Sequence, residues 1–71
     1  MNGRQFIRKI RKLGRTRHVE VRVVKSRGKG SHAVLYYGLR FTTVKDRKKD
    51  LSTGLLAAML EQLGLGRDDL D

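Results

Sequence analysis

Cysteine is absent from this 71-residue chain. That excludes a disulfide framework, thiolate metal sites and thiol nucleophiles. Long apolar runs are missing as well: no stretch approaches the roughly 20 residues that a membrane-spanning helix needs. The opening Met1-Asn2-Gly3-Arg4-Gln5-Phe6 has no apolar segment of the kind found in secretory signals. The expectation is a soluble cytoplasmic protein with no membrane partner. The length allows one domain, residues 1–71. A chain this short buries only roughly 60% of the surface that its unfolded form exposes, so a site has to lie on the surface or at an edge.

Acidic residues are scarce, and unevenly so. Of 17 Lys and Arg against seven Asp and Glu, 16 basic residues but only Glu20, Asp46 and Asp50 fall within positions 1–50. The last 21 positions hold Arg67 against Glu61, Asp68, Asp69 and Asp71. A surface built only for solubility would intersperse the signs. A segregated excess of cations is the footprint of a polyanion, with nucleic acid the first candidate.

Apolar spacing supplies the elements. Phe6, Ile7, Ile10 and Leu13 recur at helical intervals, so residues 3–13 read as a helix. Asn2 caps it with Gln5 as capping-box partner, and Gly14 stands where a left-handed stop is expected. The outer face carries Arg4, Arg8, Lys9, Arg11 and Lys12 as one basic stripe. Residues 17–25 alternate as a strand, with Val19, Val21 and Val23 on one face and His18, Glu20 and Arg22 on the other. Ser26 to Gly30 is a glycine turn. Residues 31–37 form a second strand, with Ala33, Leu35 and Tyr37 opposed to His32, Val34 and Tyr36. A tight hairpin at Gly38 leads to a third strand, 39–44, where Leu39, Phe41 and Thr43 oppose Arg40, Thr42 and Val44. Residues 45–50 read as a polar basic loop. Ser52 then caps a second helix over 53–63, with Leu55, Leu56, Met59, Leu60 and Leu63 on its apolar face and Gly64 ending it. The acidic tail is expected to be short or frayed. The fold class is α+β: two layers in the order α-β-β-β-α, a three-stranded antiparallel sheet with both helices on one face.

That order is the order of double-stranded-RNA-binding-like folds. More narrowly, the chain resembles the HicA family of bacterial toxin endoribonucleases. The resemblance lies in Asn2-Gly3-Arg4 with Lys12-Leu13-Gly14, in Gly28-Lys29-Gly30-Ser31-His32 entering the second strand, and in Thr53-Gly54-Leu55-Leu56 through Met59-Leu60-Glu61-Gln62-Leu63-Gly64. It covers most of the chain. Departures are Arg15-Thr16-Arg17, where an aromatic often follows the glycine, and Ala33, where a second His is common. The resemblance implies a metal-independent ribonuclease that cuts single-stranded messenger RNA, and a HicB antitoxin that covers the active surface.

The residues can support that chemistry. Metal-free RNA cleavage uses the substrate's own 2′-OH as nucleophile, and the protein moves protons and stabilises a phosphorane. A His is suited to the proton transfers, and Lys or Arg to the extra negative charge. His32, after a glycine turn, is the candidate general acid or base, with Lys25 and Lys29 as cations nearby. Backbone N–H groups at Gly30 and Ser31 can approach a phosphate closely. Ser31 is no nucleophile for His32, because neighbours on a strand point to opposite faces. Arg27, Arg8 and Lys12 are candidate phosphate contacts, as is Arg40 across the second hairpin. Tyr36, four residues beyond His32 on the same strand face, is a candidate base-stacking ring. His18 is the lesser candidate for a second proton carrier on that face. Asp46 and Asp50 stand at no ligand spacing from a His, so no metal and no cofactor are expected. Two other readings remain: a non-catalytic RNA-binding module in which His32 is an ordinary surface residue, and a small DNA-binding protein, ranked last for want of a recognition helix.

Overall fold

The computed structural model describes residues 1–25 and 32–70. The chain runs through α1 (Gly3–Arg17), β1 (Val21–Lys25), β2 (Ala33–Tyr37), β3 (Arg40–Val44), α2 (Thr53–Gln62) and a closing 3-10 turn (Arg67–Leu70). The three strands form an antiparallel sheet in the order β1-β2-β3. Both helices lie on one face of it, as the sequence predicts. Phe6, Ile7 and Ile10 from α1 meet Leu35 and Tyr37 of β2, Val44 of β3, and Leu56, Met59, Leu60 and Leu63 from α2 in one apolar cluster. Leu35, at the centre of the middle strand, is fully buried. Burying one such side chain contributes about 1.5–3 kcal/mol, a large share of what so thin a core can supply.

Asn2 starts α1 as expected. Its Oδ1 accepts the Gln5 N–H and the Gln5 Oε1 accepts the Asn2 N–H, each at 2.9 Å. The loop after β3 is anchored to this cap. Arg4 N–H donates to Arg47 O, Leu51 N–H donates to Met1 O, and Asn2 bridges Asp50.

The end of α1 differs from expectation. Gly14 does not stop the helix; it is buried inside it. A Cβ there would lie 2.4 Å from Val21 Cγ2 and 2.7 Å from Val19 O. The glycine serves close packing against β1, and its φ is not the reason for it. The helix runs one more turn, and His18 takes the left-handed position (φ 58°, ψ 40°). Val19 N–H then bonds Gly14 O at 2.8 Å, the six-to-one closure of a Schellman end. Strand β1 therefore begins at Val21, and His18 is a helix cap where a strand residue was expected.

The second helix ends as predicted. Gly64 is left-handed (φ 74°), Gly64 N–H bonds Glu61 O, and Leu65 N–H bonds Leu60 O. Leu55, expected on its apolar face, is half exposed. The tail is not frayed through Leu70: Leu70 packs against the core, and Asp69 pairs with Arg17.

Candidate nucleic-acid interface

Two surfaces lie on opposite faces of the sheet. The first is a cationic groove on the helix side of β1. Its wall is one stripe of α1, Arg4, Arg8 and Arg11, faced by Lys25 and Arg47 across a cavity of about 280 Å³. Arg8 and Arg11 also line a second cavity of about 700 Å³, shared with Arg15 and His18. The two cavities thus form one track along the helix. Among the described residues, Glu20 is the acidic group lining it, at its far end. The Nε of Arg47 is buried with no hydrogen-bond partner. An unpaired buried donor is costly.

The second surface is the open sheet face. Strand alternation and register put Arg22, Tyr36 and Phe41 in one row across it. The Arg22 guanidinium lies 4.7 Å from the Tyr36 ring centre, and the Tyr36 and Phe41 rings are 5.8 Å apart, tilted by 42°. A second row, Val24, Val34 and Thr43, lies toward the hairpin end. His32 is exposed there, immediately before β2, and the alternation of β2 assigns it to the side of Val34 and Tyr36. Lys25 pairs with Ala33, so it sits beside His32 at the same end of the sheet. Its parity turns it toward the groove.

Several predicted contacts fall elsewhere. Arg40 opposes Tyr37 and Thr42 opposes Leu35, so both lie on the helix side, away from His32. Thr42 is buried and donates to Gln62 Oε1. Arg40 is exposed and stands against Gly64, at the end of α2. The single stripe on α1 divides: Lys9 and Lys12 face the closing turn with Asp69 and Leu70, while Arg4, Arg8 and Arg11 face Lys25. His18 and His32 are not brought together. Val21 pairs with Tyr37 and Lys25 with Ala33, so the two histidines lie beyond opposite ends of the β1–β2 ladder. Arg27, Lys29, Gly30 and Ser31 lie outside the described residues. Among the described residues, no three His, Asp or Glu side chains gather into a set able to hold a metal ion.

Sequence reasoning overlooked Phe41 and Arg22 as functional candidates. For Phe41 the signal was available: a hairpin closed at Gly38-Leu39 forces Tyr36 opposite Phe41, whereas the pairing of Arg22 with Tyr36 depends on the β1–β2 register, which that turn does not fix.

Arg17, bonded to Asp69, has its pKa raised, chiefly by that hydrogen bond. Asp69 is held below the usual carboxylate range, first by the Gly66 N–H that it accepts and then by Arg17. This pair fastens the closing turn to α1 and lies apart from the groove.

The fold order agrees with a comparison against known families. Residues 3–65 match the family described as HicA toxin of bacterial toxin–antitoxin systems. The chain belongs to that family. Its members are toxins of toxin–antitoxin pairs and generally ribonucleases. The match in this HicA-family chain spans everything from the start of α1 to the residue after the αL glycine of α2. No curated protein and no solved structure matches it.

Proposed function

We propose that this chain is a single-domain, cytoplasmic ribonuclease toxin that cuts single-stranded messenger RNA without a metal, with His32 as its proton carrier. The observation that carries the reading is that His32, on the open face, and Lys25, on the groove side, stand at the same end of the sheet, where the cationic groove also ends.

In this mechanism the groove arginines hold the phosphates on the 5′ or 3′ side of the scissile bond. The 2′-OH of the substrate attacks the adjacent phosphorus, the P–O5′ bond breaks, and the products are a 2′,3′-cyclic phosphate and a 5′-hydroxyl. His32 either takes the 2′-OH proton or gives one to the departing O5′. Lys25 and Lys29 stabilise the charge that builds on the phosphorane oxygens. An arginine-lined groove also suits an antitoxin of complementary acidic surface, which would associate quickly and mask the site. No helix among the described residues is long and apolar enough to cross a membrane.

The test is incubation of an end-labelled single-stranded RNA, in EDTA, with wild type and with His32→Ala. A proton carrier contributes about 10²–10⁴-fold, so the variant should lose cleavage by that factor while keeping RNA affinity. Binding without cleavage by either protein, in EDTA and in Mg²⁺ alike, would leave an RNA-binding module in place of an enzyme. Wild-type cleavage that appears only in Mg²⁺ would overturn the metal-free mechanism.

A further inference from the structure

Aromatic side chains are few in this chain: two Phe and two Tyr, with no Trp. Phe6 and Tyr37 are buried in the core. The other two, Tyr36 and Phe41, stand side by side on the face of the sheet that no helix covers. Phe41 is 57% exposed, and Val24, in the adjacent row of the same face, is half exposed. An isolated exposed apolar residue needs no explanation. Half of a small aromatic complement set in one exposed row, with a cation stacked on it, does.

We infer that Phe41, backed by Tyr36 and Arg22, is a stacking platform for unpaired RNA bases. The inference rests on the ribonuclease reading above and extends it from phosphates to bases. Three observations support RNA over a protein as the occupant. The protein is strongly cationic, at +10, which favours a polyanion. The platform carries its own cation, Arg22, 4.7 Å from the Tyr36 ring centre, a guanidinium plane that can extend a stack or meet a phosphate. The row also lies on the side to which β2 assigns His32. Tyr36 lies four positions beyond His32, about 13 Å along an extended strand.

Together the two surfaces give a strand a path. Its phosphates lie in the groove, the chain turns over the end of β1–β2 past Lys25 and His32, and its bases settle on the open face. Duplex RNA keeps its bases stacked inside and cannot use the platform. The platform thereby gives the protein a physical reason to prefer single strands.

The probe is a 2′-O-methyl oligouridine, which has no 2′-OH to attack and stays intact with wild-type protein. A second strand of equal phosphate number but without bases reports the electrostatic contribution alone. Wild type should bind the oligouridine more tightly than the abasic strand at equal salt. Phe41→Ala should weaken oligouridine binding by roughly 5- to 150-fold, the usual range for one stacked base. Its affinity for the abasic strand should stay unchanged. Phe41→Leu, which keeps apolar bulk but no ring, should lose as much, and Phe41→Trp should retain tight binding. Equal wild-type affinity for the two strands overturns the platform and leaves the groove standing. Wild-type affinity for oligouridine in both the Ala and Leu variants overturns it too, and assigns the face to a protein partner. Failure of wild type to bind either strand overturns the platform and the ribonuclease reading together.

Discussion

Replacing His18 with glycine should make the protein more stable, although the chain gains a flexible residue. His18 caps α1 in the left-handed region, a conformation that costs a side-chain-bearing residue roughly 1–2 kcal/mol. Glycine adopts it freely but loses about 0.5–1 kcal/mol through greater freedom in the unfolded chain. The His18 side chain is exposed, so no buried contact is given up. The net is a gain of about 0.5–1 kcal/mol, which for a domain of this size raises Tm by roughly 2–8 °C. The companion change has the opposite sign. Gly14→Ala gains about 1 kcal/mol of helix propensity. Its methyl group must fit 2.4 Å from Val21 Cγ2 and 2.7 Å from the Val19 carbonyl oxygen. Val19 closes the helix end through its own N–H bond to Gly14 O, so that carbonyl cannot swing aside. Overpacking of this kind costs about 1–3 kcal/mol or more, and at such distances the upper end applies, for a net loss of about 2 kcal/mol. Thermal melts followed by far-UV circular dichroism read both variants. A lower Tm for His18→Gly, or a higher one for Gly14→Ala, would refute the helix end described above. RNA cleavage by His18→Gly at the wild-type rate would remove His18 as a proton carrier.

The remaining tests concern charge. Arg8→Gln and Arg11→Gln should each lower the slope of log affinity against log salt by about 0.7 for a single strand, measured by fluorescence anisotropy between low and moderate salt. Arg40→Gln, on the helix side by Gly64, should leave that slope unchanged. Asp69 has a folded-state pKa below its ordinary value. Its contribution is therefore present above the usual carboxylate pKa and is lost as pH falls through the lower folded value. Asp69→Asn should flatten the acid limb of the stability–pH profile and leave the limb above neutrality as it is; an unchanged acid limb would count against the Arg17–Asp69 fastening.

Much of the fold was legible because β2 and both helix starts obey one rule each. The alternation of β2 sets Ala33, Leu35 and Tyr37, the buried set, apart from His32, Val34 and Tyr36. Asn2 with Gln5, and Ser52 with the Leu55 N–H that it accepts, cap helices where the sequence puts caps. The strand β3 was harder. Leu39 and Phe41 are more apolar than Arg40 and Thr42, so hydrophobicity alone votes for the wrong face. Register decides against it: the short Gly38-Leu39 loop fixes Tyr37 opposite Arg40, and Val44 and Thr42 go inward. The end of α1 was misread because a glycine before a polar stretch looks the same whether it supplies a left-handed φ or room for a crossing strand. Only the position of β1 separates the two. The candidate site was legible as residue types, a His after a glycine turn among cations. Which arginines share a groove depends on where β1 lies against α1, and no local pattern carries that.

Helix α1 holds seven cations and no anion in its 15 residues. Pairs such as Arg4 and Arg8, or Arg11 and Arg15, sit one turn apart and repel. Added salt screens that repulsion, and the same salt drives off a polyanion. Fold stability and RNA affinity therefore move in opposite directions along one axis of ionic strength. Through this repulsion the free protein is weakest in dilute buffer, and a bound polyanion or acidic partner would add counter-charge to the helix beyond the one Asp69 gives Arg17. Such a ligand stabilises the folded state by mass action. A toxin built this way is shielded from unfolding and proteolysis most when it is occupied, by its target or by its inhibitor.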